Sequence, residues 1–215
     1  MLENLFTNPL SALMWIVALI ISITVHEFSH ALAADRLGDP TPRIQGRLTL
    51  NPLVHLDPLG TIMLILVRFG WGKPVQFDPF NLSNPRRDAA LISLAGPASN
   101  LLLAALSAVI GGFALRNHLY PEITFEFFTS LIGLNLVLAV FNLLPIHPLD
   151  GGKILVGILP RDTAYEVDKI LNQYGMFILI FAILPLYGGN SLISQIMGPV
   201  LNLISAPFFN LLFLR

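Results

Sequence analysis

Long runs of uncharged, apolar residues constrain this chain more than any other feature of its sequence. Residues 89–115 and 127–149 contain no Asp, Glu, Lys or Arg, and residues 170–214 form a third such run, long enough for two helices. A helix needs about 20 apolar residues to cross a bilayer. Charged residues make up only 12% of the chain, against about 25% in soluble domains. The sequence therefore predicts a polytopic α-helical membrane protein.

The apolar runs divide the chain into membrane spans and short connections. Residues 58–67 are apolar but too short to cross as an ordinary helix, so we expect a re-entrant element there. Alternating polar and apolar residues over 43–50 favour a short strand or small β-hairpin. The expected fold is an all-α membrane protein of about five to six transmembrane helices. It forms a single domain over 1–215, with a core at 10–152 and C-terminal helices at 166–213. Full spans are expected at about 10–36, 89–115, 124–145, 166–186 and 191–213, with a break near 185–190.

Basic residues are divided unevenly between the two expected faces of the membrane. If residues 58–67 do not cross, eleven of the 12 Lys and Arg residues share one face and only Arg116 lies on the other. Positive charge favours the cytoplasmic side, so we assign the basic face to the cytoplasm. That face is expected to carry Arg36, Arg43, Arg47, Arg68, Lys73, Arg86, Arg87, Lys153, Arg161, Lys169 and Arg215.

The run H-E-F-S-H at residues 26–30 lies inside the first apolar segment. Positions i and i+4 share one face of a helix, so His26 and His30 are able to bind the same metal ion. Glu27 follows the first histidine, where a carboxylate reaches water at the metal. The alternative is that both histidines hydrogen-bond neighbouring helices, but polar groups inside a membrane are costly and usually functional. We therefore favour a metal site near the cytoplasmic end of this span.

Two histidines leave a catalytic zinc site incomplete, because such sites hold three protein ligands and keep one position for water. Cysteine is absent, so the third ligand is expected to be a histidine or a carboxylate. Asp150 follows the third span at the same end as His26 and His30, and we favour it as this ligand. The alternative is that Asp150 caps the next helix. His55 and His118 fall in loops, His55 being expected in solvent and His118 on the far face.

Other polar residues lie close to these candidates. His147 is left open as a ligand, a proton carrier or an interfacial residue, with the ligand role least favoured. The amide of Asn142 either donates to an oxyanion or forms an interhelical hydrogen bond, and chemistry alone gives these equal weight. Gly96 is expected to serve close helix packing. Asn100, one turn later, is expected to pack there also or to hydrogen-bond an active-site group.

The motifs together resemble the site-2 protease family of intramembrane zinc metalloproteases. The resemblance rests on H-E-F-S-H at 26–30, G-P-A-S-N at 96–100 and N-L-L-P-I-H-P-L-D-G-G at 142–152. G-R-L-T-L-N-P at 46–52 and D-P-L-G at 57–60 are similar to the compact bacterial and archaeal branch, which lacks a PDZ domain.

The resemblance implies a set of roles for these residues. One zinc ion is expected at His26, His30 and Asp150, with Glu27 as the catalytic carboxylate and Asn142 stabilising the tetrahedral intermediate. The resemblance also implies that segment 43–50 offers a strand edge to an unwound substrate.

The expected activity is that of an intramembrane zinc metalloendopeptidase, which cleaves transmembrane segments near the cytoplasmic side in regulated intramembrane proteolysis. Its expected partners are a transmembrane protein substrate and the lipid bilayer, and the oligomeric state is left open. The net charge of −1 gives no reason to expect nucleic-acid binding. The expected location is a prokaryotic inner membrane, with the active site towards the cytoplasm.

Two other classes of protein remain as alternatives. A membrane metal transporter also places His and Glu in apolar helices, but it needs polar ligands across the whole bilayer, whereas here they cluster at one end. A non-catalytic membrane scaffold is the second alternative, and the presence of Glu27 argues against it.

Overall fold

The computed structural model describes residues 8–67, 70–185 and 191–213, which form eight α-helices, two single-turn 3-10 helices and no β-sheet. Proline opens four of the α-helices, where its missing N–H is harmless because first-turn N–H groups have no helical partner. The 3-10 turns are Pro52–Val54 and Pro79–Asn81. The α-helices are α1 (Pro9–Arg36), α2 (Thr41–Ile44), α3 (Pro58–Val67), α4 (Pro85–Arg116), α5 (Pro121–Asn142), α6 (Asp150–Ile158), α7 (Arg161–Ile183) and α8 (Leu192–Leu212).

Helix α4 lies at the centre of the bundle and packs against α1, α5, α6 and α8. Its buried positions include Ala104, Ala108, Gly111 and Gly112. Small residues let helix backbones approach closely inside a membrane, where burial from lipid gives little hydrophobic gain. The small residues of α4 therefore explain how one helix packs against four others.

Four helices among the described residues are long and apolar enough to cross a membrane, namely α1, α4, α5 and α8. The course of α8 follows from its neighbours. Met197, near its start, packs with Leu149, which precedes α6. Leu212, at its end, packs with Ala108 in the second half of α4. Helix α8 thus runs from the end of the bundle that holds α6 to the opposite end.

The predicted span at about 166–186 coincides with α7, and five to six spans are not confirmed. The first half of α7 carries Asp162, Glu166, Asp168 and Lys169. Leu179, near its end, packs with Leu149, so α7 stays at the end of the bundle that holds α6. Residues 186–190 of the predicted break lie outside the described residues.

The chain segments before and after α3 lie side by side. Leu56 and Gly72 form an antiparallel bridge, and the Lys73 N–H donates to the carbonyl of His55 at 2.8 Å. Ten helical residues extend only about 15 Å. This geometry agrees with the expected re-entrant element at 58–67.

The strand or hairpin predicted over 43–50 is wrong. Residues Thr41–Ile44 form α2, and an irregular segment follows. Arg47 is buried, and its guanidinium donates to the carbonyls of Val54 and Lys73. The alternating pattern therefore reflects a loop folded around one inward-facing arginine, and this segment presents no strand edge to a substrate.

Candidate metal centre

Three side chains meet at the end of the bundle that holds α6. His26 Nε2 and His30 Nε2 are 3.0 Å apart, and Asp150 Oδ2 lies 3.3 Å from the first and 3.2 Å from the second. Both histidines are buried, and the Asp150 side chain is 15% exposed. The structure thus brings together the three residues that the sequence suggested as ligands.

This donor set fits a zinc ion. Zinc ligands lie about 2.0–2.2 Å from the metal, so a tetrahedral site places neighbouring ligand atoms about 3.3–3.6 Å apart. The observed separations of 3.0 to 3.3 Å come close to this spacing. Asp150 Oδ2 is also buried without a hydrogen-bond partner, which is rare for a carboxylate oxygen unless a cation satisfies it. Two imidazoles and one carboxylate leave a fourth position for water.

Gly96 makes the room for both imidazoles. A Cβ added at this position of α4 would lie 2.6 Å from His26 Cε1 and from His30 Cε1, and closer still to His30 Nε2. Any other residue would therefore displace the two rings. Gly96 was expected only to serve helix packing, and its direct contact with the site has no signal in the sequence.

The start of α6 carries Asp150 into the site. Leu149 is the N-cap residue and Asp150 is the first residue of the helix, so the alternative that Asp150 caps α6 is wrong. A Cβ at Gly151 would collide with the carbonyl oxygens of Leu143 and Leu144. The glycine therefore allows α6 to begin directly against the end of α5.

Both histidines are held through their second ring nitrogen. His30 Nδ1 lies 2.7 Å from the carbonyl of Ile92, and a carbonyl only accepts, so Nδ1 carries the proton. His26 Nδ1 lies 2.6 Å from Asn100 Oδ1. Each Nε2 is then left with its lone pair free for a metal, as in other histidine metal sites.

Asn100 belongs to a buried network that joins α1, α4 and α5. Its Nδ2 donates to Asn135 Oδ1 at 2.7 Å and to the carbonyl of Ser22 at 3.3 Å. Asn135 Nδ2 donates to Ser22 Oγ and to the carbonyl of Leu131, both at 2.8 Å. Of the two alternatives for Asn100, packing or a hydrogen bond to the site, the structure shows the hydrogen bond to His26. The sequence analysis missed Asn135, although an amide within an apolar span was a usable signal.

Glu27 contacts the segment that follows α3. Its Oε2 accepts a hydrogen bond from the backbone N–H of Val75 at 3.0 Å. A Cβ at Gly72, three residues earlier, would lie 3.1 Å from a methyl group of Ile23 on α1. Residues 72–75 therefore lie directly over the turn of α1 that carries Glu27.

Asn142 and His147 lie outside the group of three. Asn142 Nδ2 donates to the carbonyl of Leu138 in its own helix at 3.0 Å. His147 Nε2 pairs with Asp168 Oδ1 of α7 at 3.1 Å. The His147 contact supports neither a ligand role nor an exposed interfacial position.

The two loop histidines have different outcomes. His55 is fully buried, and its Nε2 donates to the carbonyl of Thr49 at 2.8 Å. The prediction that His55 is solvated is wrong, because the loop around Arg47 folds over it. His118 follows the end of α4 and is exposed, which agrees with its predicted place away from the site.

The model of peptidase family M50 matches residues 14–125 and 113–182 of the chain. The chain is 39% identical to "Putative zinc metalloprotease YwhC" of Bacillus subtilis, over 94% of this chain and 92% of that protein. It is 32% identical to "Putative zinc metalloprotease Rip2" of Mycobacterium tuberculosis strain H37Rv, over 82% of this chain and 69% of that protein.

A third relative is stage IV sporulation protein FB of Bacillus subtilis, 31% identical over 72% of this chain and 53% of that protein. No solved structure is a significant match. The family model and YwhC both cover most of the chain, and the zinc-type donor set lies within the matched residues. The chain therefore belongs to peptidase family M50, the site-2 protease family, and is a zinc-dependent metalloprotease and an integral membrane protein.

Proposed function

We propose that this protein is an intramembrane endopeptidase that cleaves transmembrane segments of other membrane proteins near the cytoplasmic side. The observation that carries the proposal is the meeting of His26, His30 and Asp150 beside Glu27. The two histidines and Glu27 lie on α1, which is long and apolar enough to cross a bilayer. The whole chain, 1–215, is proposed to act as one transmembrane metalloprotease domain.

His26 Nε2, His30 Nε2 and Asp150 Oδ2 are the proposed zinc ligands, and the contacts between them support this assignment. A zinc ion held there supplies Lewis acidity towards a peptide carbonyl and makes water a stronger acid. The ligands keep one coordination position open for these reactants.

Glu27 is the proposed proton carrier. The Val75 N–H holds its Oε2, which leaves Oε1 to take a proton from the attacking water. The water oxygen bonds to the peptide carbon, the carbon–nitrogen bond breaks, and Glu27 passes the proton to the leaving amine nitrogen. Atoms and charge balance without any further reactant.

Asn142 is proposed to stabilise the developing oxyanion. Its amide nitrogen has two hydrogens, and the contact with Leu138 uses one of them. The second remains for a substrate oxygen, where a neutral donor in a low-dielectric site is effective.

The proposed substrate is a transmembrane helix that unwinds locally, because peptide bonds inside a helix are shielded by their neighbours. The proposed location is a prokaryotic inner membrane, with the metal centre towards the cytoplasm as the charge asymmetry favours. Cleavage there amounts to regulated intramembrane proteolysis.

Glu27→Gln tests the proposal. The amide keeps the size of the side chain but does not carry the proton, so we expect cleavage to fall by at least about 10²-fold, while bound zinc stays at one per chain. The measurement is cleavage of a reporter transmembrane segment in proteoliposomes, with zinc content determined on the same sample.

Glu122→Gln is the matched control, since Glu122 lies in the first turn of α5, far along the bundle from Asp150. That variant should cleave as the wild type does. Normal cleavage by Glu27→Gln would refute the mechanism. Zinc transport across the proteoliposome membrane without cleavage would instead support a metal transporter. The structure argues against a transporter, because the described residues contain only one group of His, Asp or Glu side chains close enough to hold a metal ion.

A further inference from the structure

We propose that Asn135 and Asn100 are positioning residues that fix the tautomer of His26, and through it the zinc affinity of the centre. The inference rests on the proposed zinc site. It assigns a role to a network of three fully buried residues, Ser22, Asn100 and Asn135, none of which contacts the three proposed ligands except through His26 Nδ1.

The direction of each hydrogen bond follows from one fixed acceptor. The carbonyl of Leu131 only accepts, so the Asn135 atom 2.8 Å away from it is the amide nitrogen. Asn135 Oδ1 must then accept, and the Asn100 atom that faces it at 2.7 Å is the amide nitrogen. Asn100 Oδ1 consequently faces His26 Nδ1 at 2.6 Å.

An amide oxygen next to Nδ1 requires the proton to sit on Nδ1, because the oxygen is an acceptor only. His26 Nε2 then has a free lone pair directed at Asp150 and His30. If the Asn100 amide were reversed, its N–H₂ would face Nδ1, and the ring proton would move to Nε2. That tautomer has no lone pair for the metal.

The carbonyl of Ile92 fixes His30 in the same tautomer without any side chain. The two histidines are therefore not equivalent, since only His26 depends on substitutable residues. Loss of such outer partners typically weakens metal binding by about 10–100-fold. We expect Asn135→Leu and Asn100→Leu to lose zinc affinity in this range, although neither residue touches the metal.

Asn100→Asp separates positioning from simple packing. A carboxylate at this position still accepts from His26 Nδ1 through one oxygen, but its other oxygen faces Asn135 Oδ1, which is also an acceptor. Zinc affinity should therefore fall, but by less than with leucine. A buried extra charge is worse for packing than a leucine of similar size. A purely structural role therefore predicts that Asp is the more damaging substitution, whereas a positioning role predicts that Leu is.

The experiment measures zinc dissociation constants of the purified full-length chain by competition with a chromophoric chelator. Thr24→Val is the matched control, because it removes a buried hydroxyl that bonds only Ile20 of the same helix α1. Wild type and Thr24→Val should bind alike, and both leucine variants about 10–100-fold more weakly. Asn100→Asp should bind zinc more tightly than Asn100→Leu. Equal affinity in all variants, or a greater loss with Asp than with Leu, would overturn the proposal.

A measurement on the wild type keeps the test independent of how the variants fold. Nitrogen-15 NMR of labelled histidine in the zinc-loaded protein distinguishes the two ring nitrogens, and His26 should carry its proton on Nδ1. A proton on Nε2 overturns the inference. Failure of the proposed function has a different signature, since wild type itself would then bind no zinc or cleave no substrate.

Discussion

At the scale of single residues, the metal centre depends as much on an absent side chain as on the ligands. His26 and His30 occupy the volume beside Gly96 that a Cβ would fill. A methyl group there cannot be accommodated by a small shift, because both rings are already held through Nδ1 to α4. The glycine is therefore part of the site.

Gly96→Ala should remove most bound zinc and nearly all cleavage while the bundle still folds. The added methyl pushes the two imidazoles out of register with Asp150, and losing the geometry of a zinc site costs more than losing one outer partner, so we expect a loss of affinity beyond about 100-fold. Zinc content after dialysis and circular dichroism of the same sample measure the two effects.

Gly133→Ala provides the comparison, because a Cβ at Gly133 of α5 meets nothing within 4 Å. Alanine is the better helix former by about 1 kcal/mol, so this variant should bind zinc normally and melt no earlier than wild type. If Gly96→Ala holds zinc as firmly as Gly133→Ala does, the steric account of the site is incorrect.

The sequence was informative about the reactive residues but, apart from Asn100, silent about what orients them. His26, Glu27 and His30 could be predicted because the i, i+4 spacing places the two histidines on one face of a helix. Asp150 could be predicted because a zinc site needs a third ligand. The contact of Val75 with Glu27 was not readable, since a backbone N–H has no sequence signature. The burial of His55 also depends on how a loop folds, which local spacing does not encode.

At the scale of elements, Asp39 ties the loop over the site to the end of α1. Its side chain is fully buried. Oδ1 accepts from Thr41 Oγ1 at 2.6 Å and from Asn81 Nδ2 at 2.8 Å, and Oδ2 accepts from the Asp78 N–H at 2.7 Å. The anchored loop continues directly from the segment that holds Glu27, so the clamp also fixes the position of the proposed proton carrier.

The clamp should be lost in acid. Burial acts to raise the pKa of Asp39, but the hydrogen bonds from Thr41, Asn81 and Asp78 lower it by more, so the pKa lies below the ordinary value. A depressed folded-state pKa adds stability above the unfolded pKa of about 3.9, and that stability disappears as the pH falls through the folded value.

Asp39→Asn should destabilise the protein by about 1–3 kcal/mol at neutral pH, because an amide leaves one buried donor without an acceptor. The difference in melting temperature between wild type and variant in detergent micelles should narrow as the pH is lowered from 7 through about 3.9 towards 3. A difference that stays constant over this range would contradict the assignment. Asp162→Asn, an exposed residue in the first turn of α7, should show little effect.

Secondary structure was predicted correctly where a long apolar run allows only a membrane-spanning helix. It was predicted wrongly where charged and apolar residues are mixed. The four crossing helices have no alternative in a bilayer, since isolated strands cannot satisfy their backbones there. Helix α7 is half charged and half apolar, so its apolar half resembled a span. Segment 43–50 has alternating polar and apolar residues but forms a loop around the buried Arg47. The alternation alone does not distinguish such a loop from a strand.

At the scale of the whole molecule, the course of α8 changes the expected topology. Phe213 contacts Phe125, at rings 5.9 Å apart, near the start of α5. The described end of the chain therefore lies at the opposite end of the bundle from Asp150. The expected places of Arg68 and Arg215 on the basic face lie outside the described residues.

The remaining basic residues still favour the proposed orientation. Arg86 and Arg87 open α4 and line one cavity of about 550 Å³ with Arg161 of α7, at the end of the bundle that holds the metal centre. Arg116 lies at the other end of α4. Because positive charge favours cytoplasmic segments, this distribution supports the proposal that the metal centre faces the cytoplasm. Helices α1 and α5 then enter the membrane from one side, and α4 and α8 from the other.

The absence of cysteine makes this topology directly measurable. Three single variants, Asn117→Cys, Arg161→Cys and Ser191→Cys, each supply the only thiol for a membrane-impermeant maleimide applied to cells before and after permeabilisation. Asn117→Cys should react in intact cells, because it follows α4 at the outer end. Arg161→Cys and Ser191→Cys should react only after permeabilisation, because α7 stays at the end of the bundle that holds α6. Reaction of Ser191→Cys in intact cells would show that α7 crosses the membrane as a fifth span. Reaction of Arg161→Cys in intact cells would show that the orientation is the reverse of the one proposed. The unsubstituted chain is the control and should stay unlabelled.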